Sequence, residues 1–403
     1  MRCRTNASSL AKALWAMKPN KIFRTFKMEA VGDAIVITNA DDACIVCLQV
    51  PAEVIEAGAI APDLQMLRTL LKGIGDRTVE LSLYNETRLR ITFTAENGTE
   101  STYLLPVFDP DSTLANIAED LKLEEAQLFA HFHSDKHLKL VLNSMKPLLG
   151  KHSHFNSFLF VPEDNHIKIL TIRDPIVGIA EVPAEIPEEV ASKQEPLPVP
   201  RDITQVPIGS IAKLTRDGQS WVVAISEQGY AVFPTIKPDE KQVISAALRL
   251  FNREADTSMK ASRFFWRELR RTLSMLRASK NRPKYMSSRP KLEFDFERER
   301  CYCWVDEGKP TIVSVFGDFP TLAQQNREIP SVMTFDCELI GEALEFISEP
   351  DTIDFLVVSD RVSAMRLRFG SWAVVVASLA QGSDLKTAEQ EVSDSGSQIT
   401  VEI

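Results

Sequence analysis

Hydrophobic and polar positions along this chain follow a weak threefold repeat. Each repeat opens with a segment whose apolar residues recur every three or four positions, which is typical of an amphipathic helix. These segments are SSLAKALWAMK (8–18), DKHLKLVLNSMKPLL (135–149) and SRFFWRELRRTLSMLR (262–277). Each is followed by a segment of alternating apolar and polar residues, which predicts a half-buried strand. The three predicted strands are 32–42, 163–174 and 297–307.

A second helix is predicted in each repeat, with two or three more strands after it. The predicted helices are 61–74, 207–218 and 335–347. The strands that follow them include VELSLYN, WVVAIS and WAVVVASL. Strands outnumber helices, and a sheet with one apolar face has to bury that face against another layer. The pattern therefore predicts an α+β fold of three repeated units, with helices on one side of antiparallel sheets.

Polar segments mark the boundaries between the repeats. PDSTLANIAEDLKLEEAQ precedes the second repeat and KPDEKQVISA precedes the third. We therefore predict domains at 1–120, 121–245 and 246–380. Within the second, EVPAEIPEEVASKQEPLPVPRD is rich in Pro and Glu and is interpreted as an exposed excursion. The polar segment 381–403 is predicted to be a disordered tail.

Composition limits the protein class. The 403 residues carry a net charge of −10, with 44% apolar and 25% charged residues, which is typical of a globular protein. No apolar run approaches the roughly 18 residues of a membrane helix, and the start lacks a signal-peptide cleavage site. Six cysteines are too few for a disulfide scaffold. We therefore expect a cytoplasmic protein without a membrane partner.

The acidic chain nevertheless places cations on most of its predicted helices. On 262–277 the arginines lie three or four residues apart and share a face. The helix 335–347 is the exception, because Glu338, Glu342 and Glu345 make it acidic. Solvated charges are ordinary on amphipathic helices, but their recurrence across the repeats favours a basic surface for a phosphate backbone. The candidate DNA-binding residues are Lys12, Lys18, Arg68, Lys72, Lys136, Lys139, Lys146, Lys213, Arg216, Lys260, Arg263, Arg267, Arg270, Arg271 and Arg277.

The cysteines, histidines and glycines of the chain form no strong catalytic or cofactor motif. Cys44-x-x-Cys47 and Cys301-x-Cys303 are isolated pairs, so we interpret these cysteines as small buried hydrophobes rather than metal ligands. His131, His133 and His137 have a spacing that zinc sites use, but no carboxylate motif accompanies them. No glycine-rich phosphate loop and no nucleophile elbow is present. We therefore predict no enzyme, no bound metal and no cofactor.

The order of all three repeats, together with several phrases, resembles the bacterial beta sliding clamp, the DNA polymerase III beta subunit. The phrases are GDAIVITNADDACIVCLQVP, APDLQMLRTLLKGI followed by VELSLYN, Leu105-Pro106, and CELIGEALEFI through WAVVVASL. The likeness covers residues 1 to about 380. It implies three repeated clamp units, with antiparallel sheets outside and helices lining a ring. Two subunits would join head to tail around double-stranded DNA, and a DNA polymerase and a clamp loader would be partners.

The resemblance also assigns residues. It places DNA-near loops at Lys18, Lys21, Lys151, His152 and His154. It places a dimer interface at Tyr103, Met275 and Leu276. A pocket for partner peptides falls on Phe155, Ile172, Arg173, Asp174, Pro175, Ile176, Val177, Pro238, Val243, Val375, Val376, Ala377, Ser378 and Leu379. The family's usual Thr-Asp-Gly-His-Arg-Leu reads Ile-Arg-Asp-Pro-Ile-Val in this chain, so it would be a divergent member.

Three functional hypotheses follow. The first is a DNA sliding clamp, a processivity factor that encircles duplex DNA and tethers a DNA polymerase and other partners near the nucleoid. The alternative is a non-ring, clamp-like adaptor or decoy that binds replication proteins, favoured by the acidic last helix and the changed pocket. The third is a metal-dependent enzyme built on the histidines between 131 and 137.

Overall fold

The computed structural model describes most of the chain. The described residues are 1–17, 27–40, 44–108, 122–150, 156–173, 175–216, 218–235, 241–278, 290–306, 310–316, 321–325, 329–359 and 362–379. Within them, no helix is long and apolar enough to cross a bilayer. The predicted tail, 381–403, lies outside the described residues.

Antiparallel strands dominate the described part of the chain. Its helices are α1 (Ala7–Ala16), α2 (Leu64–Ile74), α3 (Asp135–Met145), α4 (Glu188–Lys193), α5 (Lys241–Asn252), α6 (Arg263–Ala278) and α7 (Cys337–Phe346). Its strands are β1 (Arg2–Asn6), β2 (Lys27–Val31), β3 (Ala34–Ala40), β4 (Ile45–Glu56), β5 (Gly58–Pro62), β6 (Thr78–Tyr84), β7 (Arg88–Thr94), β8 (Glu100–Phe108), β9 (Gln127–Phe132), β10 (Ser157–Glu163), β11 (His166–Arg173), β12 (Ile176–Glu185), β13 (Leu197–Pro200), β14 (Ser210–Arg216), β15 (Gln219–Ser226), β16 (Gly229–Pro234), β17 (Thr257–Lys260), β18 (Lys291–Asp295), β19 (Arg300–Asp306), β20 (Pro310–Phe316), β21 (Thr321–Gln325), β22 (Val332–Asp336), β23 (Thr352–Ser359), β24 (Val362–Phe369) and β25 (Trp372–Ala377).

Most elements predicted from the repeat are present. The first helix of every repeat forms, as α1, α3 and α6, and the alternating strands form as β3, β11 and β19. The second helices of the first and third repeats form as α2 and α7. The α+β fold class with antiparallel sheets is therefore confirmed.

The helix predicted at 207–218 is wrong. This segment forms β14, which pairs antiparallel with β9 on one side and with β15 on the other. Ala212 and Leu214 are buried in a core with Val223 and Val232. Its apolar spacing alone could not reveal the pairing with β9, which is distant in sequence, and pairing on both sides overrides local helix preference.

Two segments interpreted as polar connectors also contain ordered elements. The Pro- and Glu-rich stretch includes the end of β12, all of α4 and β13, and buries Leu197 and Val199. It is therefore not an exposed excursion throughout. The joint before the third repeat contains the start of α5. Ile244 and Ala247 of this helix are buried three residues apart, so it has an apolar face.

Unit 1 of the two compact units comprises Met1–Leu140, Phe160–Ile167 and Val182–Lys237. Its first eight strands close a circuit through the antiparallel pairs β4–β1–β6–β7–β8–β5–β2–β3–β4. The helices α1 and α2 pack together beside this circuit and begin at the capping residues Asn6 and Asp63, whose side chains accept backbone N–H bonds. A second series of strands continues as β4–β16–β15–β14–β9.

The pairing of β16 with β4 depends on a glycine. Gly229 lies opposite Leu48 and has a φ of +136°. A Cβ atom built at this position would lie 2.1 Å from the carbonyl oxygen of Cys47. A side chain here would collide with backbone, so only glycine allows the two strands to approach.

Unit 2 comprises Val141–Leu159, Lys168–Glu181 and Pro238–Ile403. One of its sheets runs β12–β25–β24–β23–β17–β21, and the other runs β20–β19–β18–β22. Cys301 and Cys303 are buried in the second sheet, in agreement with their interpretation as small hydrophobes. The division into three domains stays a prediction.

A buried ion pair lies inside the first sheet of unit 2. The Arg366 Nε and Nη2 atoms contact Oδ2 of Asp354 at 2.8 and 2.7 Å. The Nη1 atom of Arg366 donates to the carbonyl oxygens of Leu250, Phe251 and Arg253, at 2.7 to 3.0 Å. These carbonyls lie at the end of α5 or just after it, where a helix leaves its last carbonyls without intrahelical partners. The ion pair therefore anchors the helix to the sheet.

Candidate nucleic-acid interface

The helix α6 has an apolar face and a basic face. Ser262 accepts the backbone N–H of Phe265 at 3.1 Å, which caps the first turn. The buried face carries Phe265, Trp266, Leu269 and Leu273, which recur at helical spacing. Trp266 donates its indole N–H to the carbonyl oxygen of Pro350 at 3.1 Å. These contacts fix which side of α6 faces outward.

Three arginines, four residues apart, lie along the outer side of α6. The side chains of Arg263, Arg267 and Arg271 are 90%, 72% and 72% exposed. Arg267 and Arg271 lie 4.0 and 3.9 Å from Glu268, and Arg263 lies 3.4 Å from Glu349. Ion pairs this exposed contribute little energy, so the guanidinium groups stay available to another anion. We call these three residues the arginine stripe.

Other predicted cations differ widely in exposure. Lys12 on α1 and Lys72 on α2 are exposed. Arg270 on α6 and Lys146 after α3 are half-buried. Burial lowers the pKa of Lys139, and Asp135 partly offsets this shift. Lys213 is half-buried and lies on a strand, not on the helix that the sequence predicted.

Arg68 has a role that the sequence did not predict. It is buried, and its Nε and Nη2 atoms donate to the carbonyl oxygen of Leu14 at 2.7 and 2.5 Å. Its guanidinium group also stacks on the indole of Trp15, 5.2 Å from the ring centroid. Burial lowers its pKa. Arg68 therefore supports α1, and this placement removes it from the set of exposed phosphate contacts.

The helix α7 is acidic on its outer side, as its sequence indicates. Glu338 and Glu345 are exposed. Glu342 forms an ion pair with Arg173, which the resemblance had placed in the partner pocket. Burial lowers the pKa of Arg173. Arg173 is thus committed to a neighbour within unit 2.

Several predicted pocket walls are buried in strands. Ile176 pairs with Val376, and Val177 pairs with Val375, across β12 and β25. Ile172, Ile176, Val375 and Val376 are buried, so they are core residues rather than exposed walls. The continuous apolar run in β25 is the sequence signal for such burial. Pro175 is exposed, whereas Val177, Ala377, Ser378 and Leu379 are half-buried.

Some predicted site residues fall outside the part of the chain that the structure describes. They are Lys18, Lys21, Lys151, His152, His154, Phe155, Asp174 and Pro238, together with the side chains of Val243, Leu276 and Arg277. Of the proposed dimer residues, Tyr103 and Met275 are exposed.

The three histidines of the metal hypothesis have separate surroundings. Nδ1 of His131 lies 2.8 Å from the hydroxyl of Ser210, and Nε2 of His133 lies 3.9 Å from Glu185. Among the described residues, no group of three or more His, Cys, Asp or Glu side chains is arranged to hold a metal ion.

Two exposed aromatic side chains on helices were not predicted from the sequence. Trp15 is 55% exposed on α1 and Phe264 is 54% exposed on α6. A signal was present for Phe264, because the consecutive residues Phe264, Phe265 and Trp266 cannot all face one side of a helix.

Comparison with solved structures identifies the fold. No protein-family model and no curated protein matches the sequence. A sliding clamp from Pseudomonas aeruginosa bound to griselimycin aligns with a TM-score of 0.70 and 12% identity, over 94% of this chain and 100% of that chain. The DNA polymerase III beta subunit of Thermotoga maritima gives the same four values. The Helicobacter pylori beta clamp bound to a DNA ligase peptide gives a TM-score of 0.66 and 10% identity, over 94% and 99%. The chain therefore has the fold of bacterial beta sliding clamps, and the resemblance stated from its sequence is confirmed at that level.

Proposed function

We propose that this protein is a DNA sliding clamp that encircles duplex DNA and tethers a DNA polymerase to it. The observation that carries the proposal is the clamp fold itself, which extends over nearly the whole chain. The proposed role needs no catalysis, no cofactor and no metal. A closed ring leaves a duplex only at an end or by opening, so a bound polymerase keeps a high effective concentration at its substrate.

The arginine stripe supports a contact with the DNA backbone. Arg263, Arg267 and Arg271 form a row of exposed cations on a protein whose net charge is −10. Phosphate contacts hold a protein on DNA without reading its sequence, which is what sliding requires. Lys12 and Lys72 add exposed cations on α1 and α2. A clamp loader that opens the ring is part of this proposal.

Two strand edges support head-to-tail association of two copies. β8 pairs with β7 and meets β5 only at Val107 and Phe108, so its outer edge up to Pro106 has no partner strand in the described structure. β20 pairs only with β19 among the described strands. A contact between two different edges, one from each copy, is heterologous. Such a contact closes a ring when the rotation that relates the two copies is a simple fraction of a full turn. Tyr103 and Leu104 are exposed on β8 beside this edge.

We propose the accessible remainder of the predicted pocket as the contact for partner peptides. It consists of Pro175, Val177, Ala377, Ser378 and Leu379. The backbone N–H groups of Ser378 and Leu379 donate to Ser363 and Thr334, which holds this segment against unit 2. A partner would therefore meet a shallow apolar surface, and the half-buried Leu379 is the side chain we expect to anchor it.

Solution mass tests the ring. Light scattering on a dilution series should give about 90 kDa, twice the 45.1 kDa of one chain, if a dimer persists. Tyr103→Asp with Leu104→Asp should yield monomers, because two charges would stand beside the β8 edge. Phe369→Asp is the matched control, since Phe369 is also an exposed aromatic residue on a strand. A stable wild-type monomer would contradict the closed ring.

One observation favours the alternative, a non-ring adaptor that binds replication proteins. Glu338 and Glu345 present an acidic face on α7, which repels phosphate and suits a basic protein partner. This alternative predicts a monomer whose affinity for DNA is unaffected by the arginine stripe. The same dilution series therefore separates the two functions.

A further inference from the structure

Trp15 and Phe264 share an unusual arrangement. Each lies on the first helix of its repeat, each is about half exposed, and each is stacked by an arginine. An exposed aromatic side chain contributes nothing to contacts made through phosphate alone. Both sites therefore contain a feature that the proposed contact with a duplex backbone does not use.

The surroundings of Trp15 hold its ring in place. The guanidinium group of Arg68 covers the indole at 5.2 Å from the ring centroid. Arg68 is itself fixed by two bonds to the carbonyl oxygen of Leu14. Lys12 is exposed one helical turn before Trp15. The ring is thus pre-organised, exposed to solvent, and close to a cation.

Phe264 has the same combination in unit 2. The guanidinium group of Arg267 lies 5.4 Å from its ring centroid. Arg263 is adjacent in sequence, and Arg271 continues the arginine stripe one turn beyond Arg267. Phe265 and Trp266 fill the core behind α6, so Phe264 is not needed for packing. An exposed aromatic residue is therefore set among three exposed cations.

This combination is the one that binds unpaired nucleotides. Single-stranded DNA offers base faces that stack on aromatic side chains while cations follow its phosphates, and this stacking tolerates any base sequence. The bases of a duplex are already stacked inside the helix, and their faces are covered. We infer that Trp15 and Phe264, with their neighbouring cations, form two stacking sites for single-stranded DNA. The inference rests on the proposed function, because it assigns a second form of the same ligand to these helices.

Binding of labelled oligonucleotides to the full chain tests the inference. Fluorescence anisotropy would compare an oligothymidylate with a hairpin duplex that has the same number of phosphates. Phe264→Ala and Trp15→Ala should each lower affinity for the single strand about fivefold or more, and affinity for the duplex less than twofold. Trp15→Phe should retain most of the single-strand affinity, because the ring still stacks. Phe369→Ala removes a comparably exposed aromatic residue and should change neither the single-strand affinity nor the duplex affinity.

A second readout separates stacking from charge. The loss caused by Phe264→Ala should remain at high salt, whereas the loss caused by Arg267→Ala should shrink as salt screens phosphate contacts. If the alanine variants of Trp15 and Phe264 lost affinity equally for both forms of DNA, or lost none for the single strand, the stacking sites would be overturned. A wild-type protein that binds the single strand but not the duplex would overturn the proposed clamp function and leave the stacking sites standing.

Discussion

Unit 2 contains a buried arginine and a row of three exposed ones. Arg366 is buried, contacts the buried Asp354 and holds three carbonyl oxygens at the end of α5. The arginines of the stripe are exposed, and their ion pairs with Glu268 and Glu349 contribute little energy. The same side chain therefore serves stability in one place and is available to a ligand in the other. Stability and DNA binding should consequently respond to different substitutions.

The largest expected effect is the loss of folding stability when the buried Arg366 is replaced. Arg366→Ala should lower the free energy of unfolding by about 3 kcal/mol, because it removes the buried partner of the Asp354 carboxylate and the donor to three carbonyl oxygens. The carboxylate would keep only Arg368 and Ser258 as partners. Urea unfolding followed by circular dichroism would measure it. Arg267→Ala is the matched control. It should change the free energy of unfolding by no more than about 0.5 kcal/mol, because the replaced side chain is exposed. Similar losses for the two variants would show that the distinction is wrong.

A buried carboxylate gives the second prediction. Burial raises the pKa of Glu293 in β18 from 4.5 to about 7, and the nearby Asp295 adds to the increase, whereas Thr334, Trp304 and Lys291 oppose it. The folded state therefore binds more protons than the unfolded state between these two values, so stability should fall as pH rises from about 4.5 to about 7. The total change is at most about 3 kcal/mol, at 1.36 kcal/mol for each unit of pKa. The free energy of unfolding of Glu293→Gln should lack this pH-dependent part. If the variant kept the pH profile of the wild type, Glu293 would not be its source.

The arginine stripe gives the third prediction, on the exposed side of the comparison. Arg267→Ala with Arg271→Ala should weaken duplex binding and reduce the slope of log affinity against log salt by about 1.8, if each arginine meets one phosphate. Titrations at several salt concentrations would measure the slope. Folding stability should change little, in contrast with Arg366→Ala. An unaltered slope would exclude these two arginines from the DNA surface.

The smallest expected effect concerns α7. Glu338→Gln with Glu345→Gln should raise duplex affinity a few fold at low salt, because two exposed negative charges no longer repel phosphate. The gain should vanish at high salt. An equal gain at all salt concentrations would point to a contact other than electrostatic repulsion.

Local patterns predicted most of the helices but not their neighbours. The periodic apolar residues of α6, among them Phe265, Leu269 and Leu273, were sufficient to predict both the helix and its basic outer side. The prediction for 207–218 was wrong because this segment pairs with β15, which follows it directly, and with β9, which is distant in sequence. Secondary structure that depends on such partners cannot be derived from a short window.

The candidate site was predicted only in part, for the same reason. Spacing placed Arg68 and Lys72 on one helix face, but it could not show that the carbonyl oxygen of Leu14 lies within reach of Arg68. Likewise, Arg173 was assigned to a pocket, and Glu342, distant in sequence, is its partner. Exposure of a charged side chain depends on what folds beside it, and a one-dimensional pattern does not contain that information.

The close approach at Gly229 has a consequence for synthesis. β4 pairs with β16, and about 180 residues of chain separate Leu48 from Gly229. At about 5–20 residues per second, the ribosome needs roughly 10–40 s to deliver the second strand after the first. During that time this edge of β4 is unsatisfied, and open strand edges recruit other chains. The nascent protein therefore passes through an interval in which premature aggregation competes with completion of the sheet.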